Sequence, residues 1–226
     1  MATETLHAAL SARSKQQLQL AKLFSTDMKN GLKIQTQVGP WIAVIGSSKP
    51  KPGEPAFNAA RTTGRLIATR LKRPVATGGA TGAMEGANLG AFEVGGISVG
   101  IYLEGLPTEQ AQNPYCTHSI RCKTMLARQH LLLSGACALV VAPEGGLGTV
   151  FEITHQLIEM RRQSFAPDCP IAIIDELNLW HGFRRWVQAE LVARGLLRQS
   201  EFDKLFFVRS ADEAIAVLAA RLPPLI

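Results

Sequence analysis

No run in this 226-residue chain approaches the roughly 18–20 consecutive apolar residues of a membrane-spanning helix, which excludes a helical span. Where a secretory signal would carry its apolar core, the N-terminus has Glu4 and His7. Only four cysteines are present, Cys116, Cys122, Cys137 and Cys169, with neither zinc-ligand spacing nor a CxxC pair. Reduced thiols in a cytoplasmic protein are the expectation. The histidines, His118, His130 and His155 among them, form no ligand pattern, so neither a metal nor a redox cofactor is expected. A Ser-His-Asp or Cys-His set is missing, and no lysine sits in a Schiff-base context. Aromatics are scarce, and no basic run interleaves with them. The net charge of +6 therefore points to an anionic small ligand rather than to a nucleic acid or a membrane.

What the chain does contain is alternation. Apolar, β-branched runs at 41–45, 74–77, 97–102, 137–142, 170–174 and 205–208 are separated by helical patterns at 57–71, 83–94, 122–134, 150–162, 179–194 and 211–220. Several strands are apolar on both faces, as in a covered parallel sheet. The expected fold is α/β: a Rossmann-like, doubly wound parallel sheet with helices on both faces. Residues 41–226 form that nucleotide-binding domain. Residues 1–40 read as an N-terminal helical extension, a helix or two with a rough apolar face of Leu6, Leu10, Leu18, Ala21 and Phe24, rather than a transit peptide. The segment 106–119 reads as a loop.

Three glycine-containing turns, at Gly46, Gly78-Gly79 and Gly145-Gly146, follow predicted strands, where doubly wound folds bind ligands. The richest is Pro143-Glu144-Gly145-Gly146-Leu147-Gly148-Thr149, running into a helix. It is neither a Walker A loop nor a dinucleotide GxGxxG. Glycines allow close backbone approach to an anion, and the free N–H groups of a helix start point at it. A tight turn is the plainer alternative. Glu152 likewise reads two ways: as a reactive carboxylate, or as the Glu of a Thr149-x-x-Glu152 capping box. Gly86 and Gly90 inside a helix indicate a neighbouring backbone at close range. Arg128 is a phosphate or carboxylate clamp if it faces the strand ends, and a surface ion-pair partner if it does not.

Together these segments resemble one family. Gly78-Gly79-Ala80-Thr81-Gly82-Ala83-Met84-Glu85-Gly86-Ala87-Asn88-Leu89-Gly90-Ala91 is similar to its G-G-G-x-G-x-M-E-A-A-N-x-G-A. The segment 106–115, with Glu109-Gln110 and Asn113-Pro114-Tyr115, is similar to its substrate loop. Met125-Leu126-Ala127-Arg128 followed by Gly145 to Glu152 is similar to its R-K…P-G-G-x-G-T-x-x-E. On these motifs, in this order, the chain resembles the Lonely Guy family and its bacterial relatives over about residues 41–221.

The resemblance implies a homodimeric or larger Rossmann-like phosphoribohydrolase. Such an enzyme cleaves the N-glycosidic bond of a nucleoside 5′-monophosphate, a cytokinin riboside monophosphate or one like AMP, to free base and ribose 5-phosphate. It implies a catalytic pair, Arg128 and Glu152. Gly145, Gly146, Gly148 and Thr149 would hold the phosphate with Ser47 and Gly79 nearby, and Asn113 would lie near the ribose. No cofactor is implied. The chain departs from the pattern where Glu144 interrupts Pro-Gly-Gly, where Gln129 replaces Lys, and where Ala80 replaces Gly. Glu144 and Gln129 favour an alternative, a non-catalytic nucleotide or molybdenum-cofactor carrier. Lysine decarboxylase activity, a label often attached to these proteins, has no residue here to support it.

Overall fold

The computed structural model describes residues 2–105, 113–162 and 168–223, with residues 2–12 as backbone only. Elements follow in the order α1 (Ala2–Val38), β1 (Trp41–Ile45), α2 (Pro55–Leu66), β2 (Val75–Thr77), α3 (Ala83–Phe92), β3 (Ser98–Leu103), β4 (His118–Cys122) and α4 (Met125–Ser134). Then come β5 (Ala136–Val141), α5 (Leu147–Arg162), β6 (Ile171–Ile174), α6 (His181–Trp186), α7 (Gln199–Phe202), β7 (Leu205–Val208) and α8 (Ala211–Ala219). π-Helical turns extend α2 over Ile67–Leu71 and α6 over Val187–Val192.

The seven strands form one sheet in the order β4-β3-β2-β1-β5-β6-β7, and every pair is parallel. This is the expected doubly wound α/β architecture. The interior strands β1 and β6 are buried along their whole length, which explains their unbroken apolar sequences. One face packs Trp41, Ala43, Ile45, Leu131, Leu139 and Ile153 into a core with α4 and α5. The other packs Ile42, Val44, Ala60, Ala87, Val140 and Ile215 with α2, α3 and α8.

Strand β4 was not expected. Its sequence, His-Ser-Ile-Arg-Cys, is mostly polar because it pairs on one side only, with β3, at the sheet edge. Ile120 and Cys122 point inward and Arg121 outward, so the strand signal is two apolar residues. The loop expected at 106–119 falls partly outside the described residues, since 106–112, with Glu109 and Gln110, are not among them.

The N-terminal segment, read as a helix or two, is one continuous helix. It runs unbroken to Val38 and ends where Gly39 takes φ +80°, ahead of Pro40. Phe24, Met28, Ile34 and Val38 pack against the core, whereas Leu18 is exposed. Among the described residues no helix is long and apolar enough to cross a membrane. Helices α2 and α3 approach closely, as Gly86 and Gly90 indicated. A Cβ at Gly90 would lie 1.8 Å from the Arg61 carbonyl oxygen, and one at Gly64 1.9 Å from that of Ala87.

Candidate functional site

The strands β1 and β5 are neighbours whose following helices, α2 and α5, lie on opposite faces of the sheet. Their C-terminal ends therefore diverge and leave a crevice, the topological switch point of a doubly wound fold. Two turns meet there: the Ser47 N–H donates to the Glu144 carbonyl at 2.8 Å. The residue inserted into the Pro-Gly-Gly pattern supplies the carbonyl that ties the turns together. Ser47, Glu144, Gly145 and Gly146 line a cavity of about 500 Å³ together with Leu177, Asn178 and Leu179.

The glycines of the β5–α5 turn are not equivalent. A side chain at Gly145 would collide with Trp180 and Thr149, so packing accounts for that glycine. A Cβ on Gly146 or Gly148 would meet nothing within 4 Å, and neither residue has positive φ. Neither packing within the chain nor backbone conformation requires glycine there, although glycine carries an entropic cost. The space in front of these two residues is open, at the head of a 16-residue helix whose first N–H groups lack intrahelical acceptors. That arrangement suits an anion.

The helix begins at Leu147, earlier than expected, so the Thr149-x-x-Glu152 capping box does not form. Thr149 is the third residue of α5 and buried, so it does not cap the helix. Instead the Glu152 carboxylate meets Arg128: Nη1 donates to Oε1 at 3.1 Å. Both side chains are largely enclosed, 14% and 10% exposed. Burial raises the Glu152 carboxyl above its ordinary pKa, and the charge and hydrogen bond of Arg128 offset only part of that.

Arg128 projects from the first turns of α4. Its Nε donates to the Ile101 carbonyl at 3.3 Å, and Nη1 also reaches Gln129 Oε1 at 3.3 Å. Nη2 lies over Gly78, where a Cβ would be only 1.8 Å away. Gly78 thus makes room for the guanidinium, and no hydrogen-bond partner of Nη2 exists among the described residues. The sequence flagged the glycine turn but not this role.

Gly79 has φ +71° and packs beneath the Tyr102 ring, and its N–H is engaged by Thr77 Oγ1 at 2.9 Å. Asn113 is buried: its Nδ2 donates to Asn88 Oδ1 at 2.8 Å, and its Oδ1 accepts from the Tyr115 N–H. Asn88 in turn joins Thr77 and Ser98. This network anchors the residues that follow 106–112 to the β2 and β3 ends. The structure therefore brings Ser47, Gly145, Gly146, Gly148 and Thr149 together at one turn pair. Arg128 and Glu152 form an ion pair beside Gly78, and the Gly79 and Asn113 groups are engaged within the chain.

The profile of the SLOG cluster4 family matches residues 39–165, more than half of the chain, from the start of β1 through α5. The chain belongs to the SLOG cluster4 family. Arg128, Glu152, Asn113 and the three glycine turns fall inside the family segment, whereas Leu177, Asn178, Leu179 and Trp180 lie beyond it. A comparison with curated proteins finds no match. Among solved structures, this SLOG protein is similar to the molybdenum cofactor carrier protein of Chlamydomonas reinhardtii, with TM-score 0.60 and 22% identity over 80% of this chain and 97% of that one. The molybdenum cofactor binding protein of Rippkaea orientalis gives 0.58 and 21%, over 80% and 96%. DNA processing protein A of Streptococcus pneumoniae gives 0.53 and 14%, over 79% and 61%. These likenesses show the shared fold.

Proposed function

We propose that this SLOG protein is a phosphoribohydrolase of the kind its motifs resemble, the Lonely Guy enzymes. It would cleave the base–ribose bond of a nucleoside 5′-monophosphate. The observation that carries this reading is the enclosed Arg128–Glu152 pair, whose carboxyl is held above its ordinary pKa beside a glycine turn open to an anion. Perturbed carboxylates paired with a charge in a crevice are enriched at reactive sites.

In this reading the phosphate rests on the N–H groups at Gly146–Gly148, with the serine turn beside it. Cleavage of the C1′–N bond develops positive charge on the ribose ring, as in glycoside hydrolysis. The Glu152 carboxylate stabilises that charge and accepts a proton from the attacking water, whose oxygen bonds to C1′. The departing base takes up a proton from solvent, Glu152 returns the water's proton to solvent, and base and ribose 5-phosphate leave. Arg128 holds Glu152 with Nη1 and presents Nη2 to the ligand. The protein acts as a homodimer or larger homo-oligomer. The exposed apolar residues of α4 and α5 support this, Leu147 at 90% and Leu126 at 69% among them.

A second reading is a carrier of a phosphorylated ligand without turnover. Glu144, which lines the cavity, and Gln129 favour it, because both depart from the hydrolase motif. The solved structures named for the molybdenum cofactor share the fold at 21–22% identity. The deciding experiment incubates the purified protein with AMP, GMP, IMP and isopentenyladenosine monophosphate and follows free base. Release from any one supports the hydrolase. No release from any, with AMP still raising the melting temperature, supports the carrier.

A further inference from the structure

Gln129 is 3% exposed on α4, and its Nε2 is buried with no hydrogen-bond partner among the described residues. A buried amide with an orphan N–H₂ is less stable than an apolar side chain of the same length. Packing therefore does not explain a glutamine here. Among the described residues its side chain takes part in one bond, from Arg128 Nη1 to Oε1, at 3.3 Å. The orientation of the amide follows from chemistry, because a guanidinium only donates and the carboxamide oxygen must face it.

The same Nη1 serves Glu152 at 3.1 Å, while Nε is fixed on the Ile101 carbonyl. Three acceptors from three elements thus determine the plane of the guanidinium. Removing one leaves the plane free to tilt about the other two. The acceptor is also neutral, and among the described residues Arg128 is the cation that lowers the Glu152 carboxyl's affinity for protons.

The geometry points to Gln129 as a positioning residue: its carboxamide oxygen sets the guanidinium of Arg128, so that Nη1 meets Glu152 and Nη2 faces the Gly78 turn, without adding charge to the site. The assignment rests on the hydrolase reading for its effect on turnover, but not for its effect on Arg128 itself.

Two variants separate the parts of the idea. Gln129→Met keeps the length and removes the acceptor. It is expected to retain or raise the melting temperature and to lower kcat by at least about tenfold, with KM changed by no more than about threefold. Gln129→Glu keeps the acceptor and adds a negative charge. It is expected to retain kcat at alkaline pH within about threefold and to move the acidic limb of the pH profile to higher pH. A purely structural role predicts a lower melting temperature in both variants and no such split. Base release by the parent with unchanged kcat in Gln129→Met overturns the positioning role and leaves the hydrolase reading standing.

If the parent releases no base from any nucleoside monophosphate, the hydrolase reading falls and the test passes to Arg128 itself. In ¹⁵N NMR of the free protein, resolved Nη signals of Arg128 that average in Gln129→Met support positioning. Identical signals in both proteins overturn it.

Discussion

The Asp27 carboxylate on α1 caps the start of α4 from far away in sequence, accepting from both the backbone N–H and the hydroxyl of Thr124 at 2.9 Å. Oδ2 also accepts from the Lys123 N–H, and Asp27 is only 4% exposed. Thr124 is itself the N-cap of the helix that carries Arg128, accepting from the Ala127 N–H. Asp27 thereby ties the N-terminal helix to the helix that carries Arg128, beside the apolar packing of Phe24 and Met28. Asp27→Ala leaves buried donors unpaired, at about 1–3 kcal/mol. With a midpoint shift of about 2–4 °C per kcal/mol for a chain of this size, a clear fall in melting temperature is expected. An unchanged midpoint in thermal unfolding would show that this cap contributes nothing to the fold.

Gly78 offers a test that separates site from scaffold. Its absent Cβ is the space that Arg128 Nη2 occupies. In Gly78→Ala the flexible end of Arg128 moves aside at small cost to folding, but the guanidinium leaves its place beside Glu152. Base release is expected to fall at least about tenfold, the usual consequence of an ångström-scale misplacement, with the melting temperature nearly held. Gly64→Ala makes the opposite pattern, because the obstacle there is the Ala87 backbone carbonyl, which cannot yield. Destabilisation by about 1–3 kcal/mol or more is expected in urea titration. Equal loss of stability in both variants would sink the distinction.

Much of this was legible beforehand, for identifiable reasons. Buried parallel strands such as Trp41–Ile45 announce themselves by unbroken apolar sequence, and the α2–α3 approach by glycines that a solvated helix would not keep. The edge strand β4 did not, because an edge needs only two inward residues, Ile120 and Cys122. The start of α5 was misplaced because glycines obscure a helix head, and that error created the capping-box alternative for Glu152. Asp27 was invisible for a different reason. A capping bond across about a hundred residues leaves no local pattern, whereas Arg128 and Glu152 were each marked by their motifs.

Gly146 tests the anion cradle. The folded chain leaves open space where its side chain would stand, and its backbone conformation suits any residue. Gly146→Val is therefore expected to fold with a midpoint near that of the parent while its methyls fill the ground in front of α5. AMP binding, followed by calorimetry, should weaken at least about tenfold, a loss of about 1.4 kcal/mol. Undiminished AMP affinity would move the phosphate site elsewhere.

The ionisation of Glu152 makes the last prediction, and its sign follows from the cause of the shift. Burial holds the carboxyl above its ordinary pKa in the folded chain, and Arg128 offsets this only in part. Ionising Glu152 is thus harder folded than unfolded, so its contribution favours folding at low pH and is lost as pH rises through the folded value. Glu152→Gln keeps the group neutral at every pH. Near about pH 4, where unfolded glutamate begins to ionise, variant and parent should melt together. At neutral pH the variant should be the more stable, by about 2–4 °C for each kcal/mol recovered, and should release no base. Stability given up for an ionised, enclosed carboxylate is what a reactive group entails. A variant less stable than the parent at neutral pH would instead make the Arg128–Glu152 pair a structural bond.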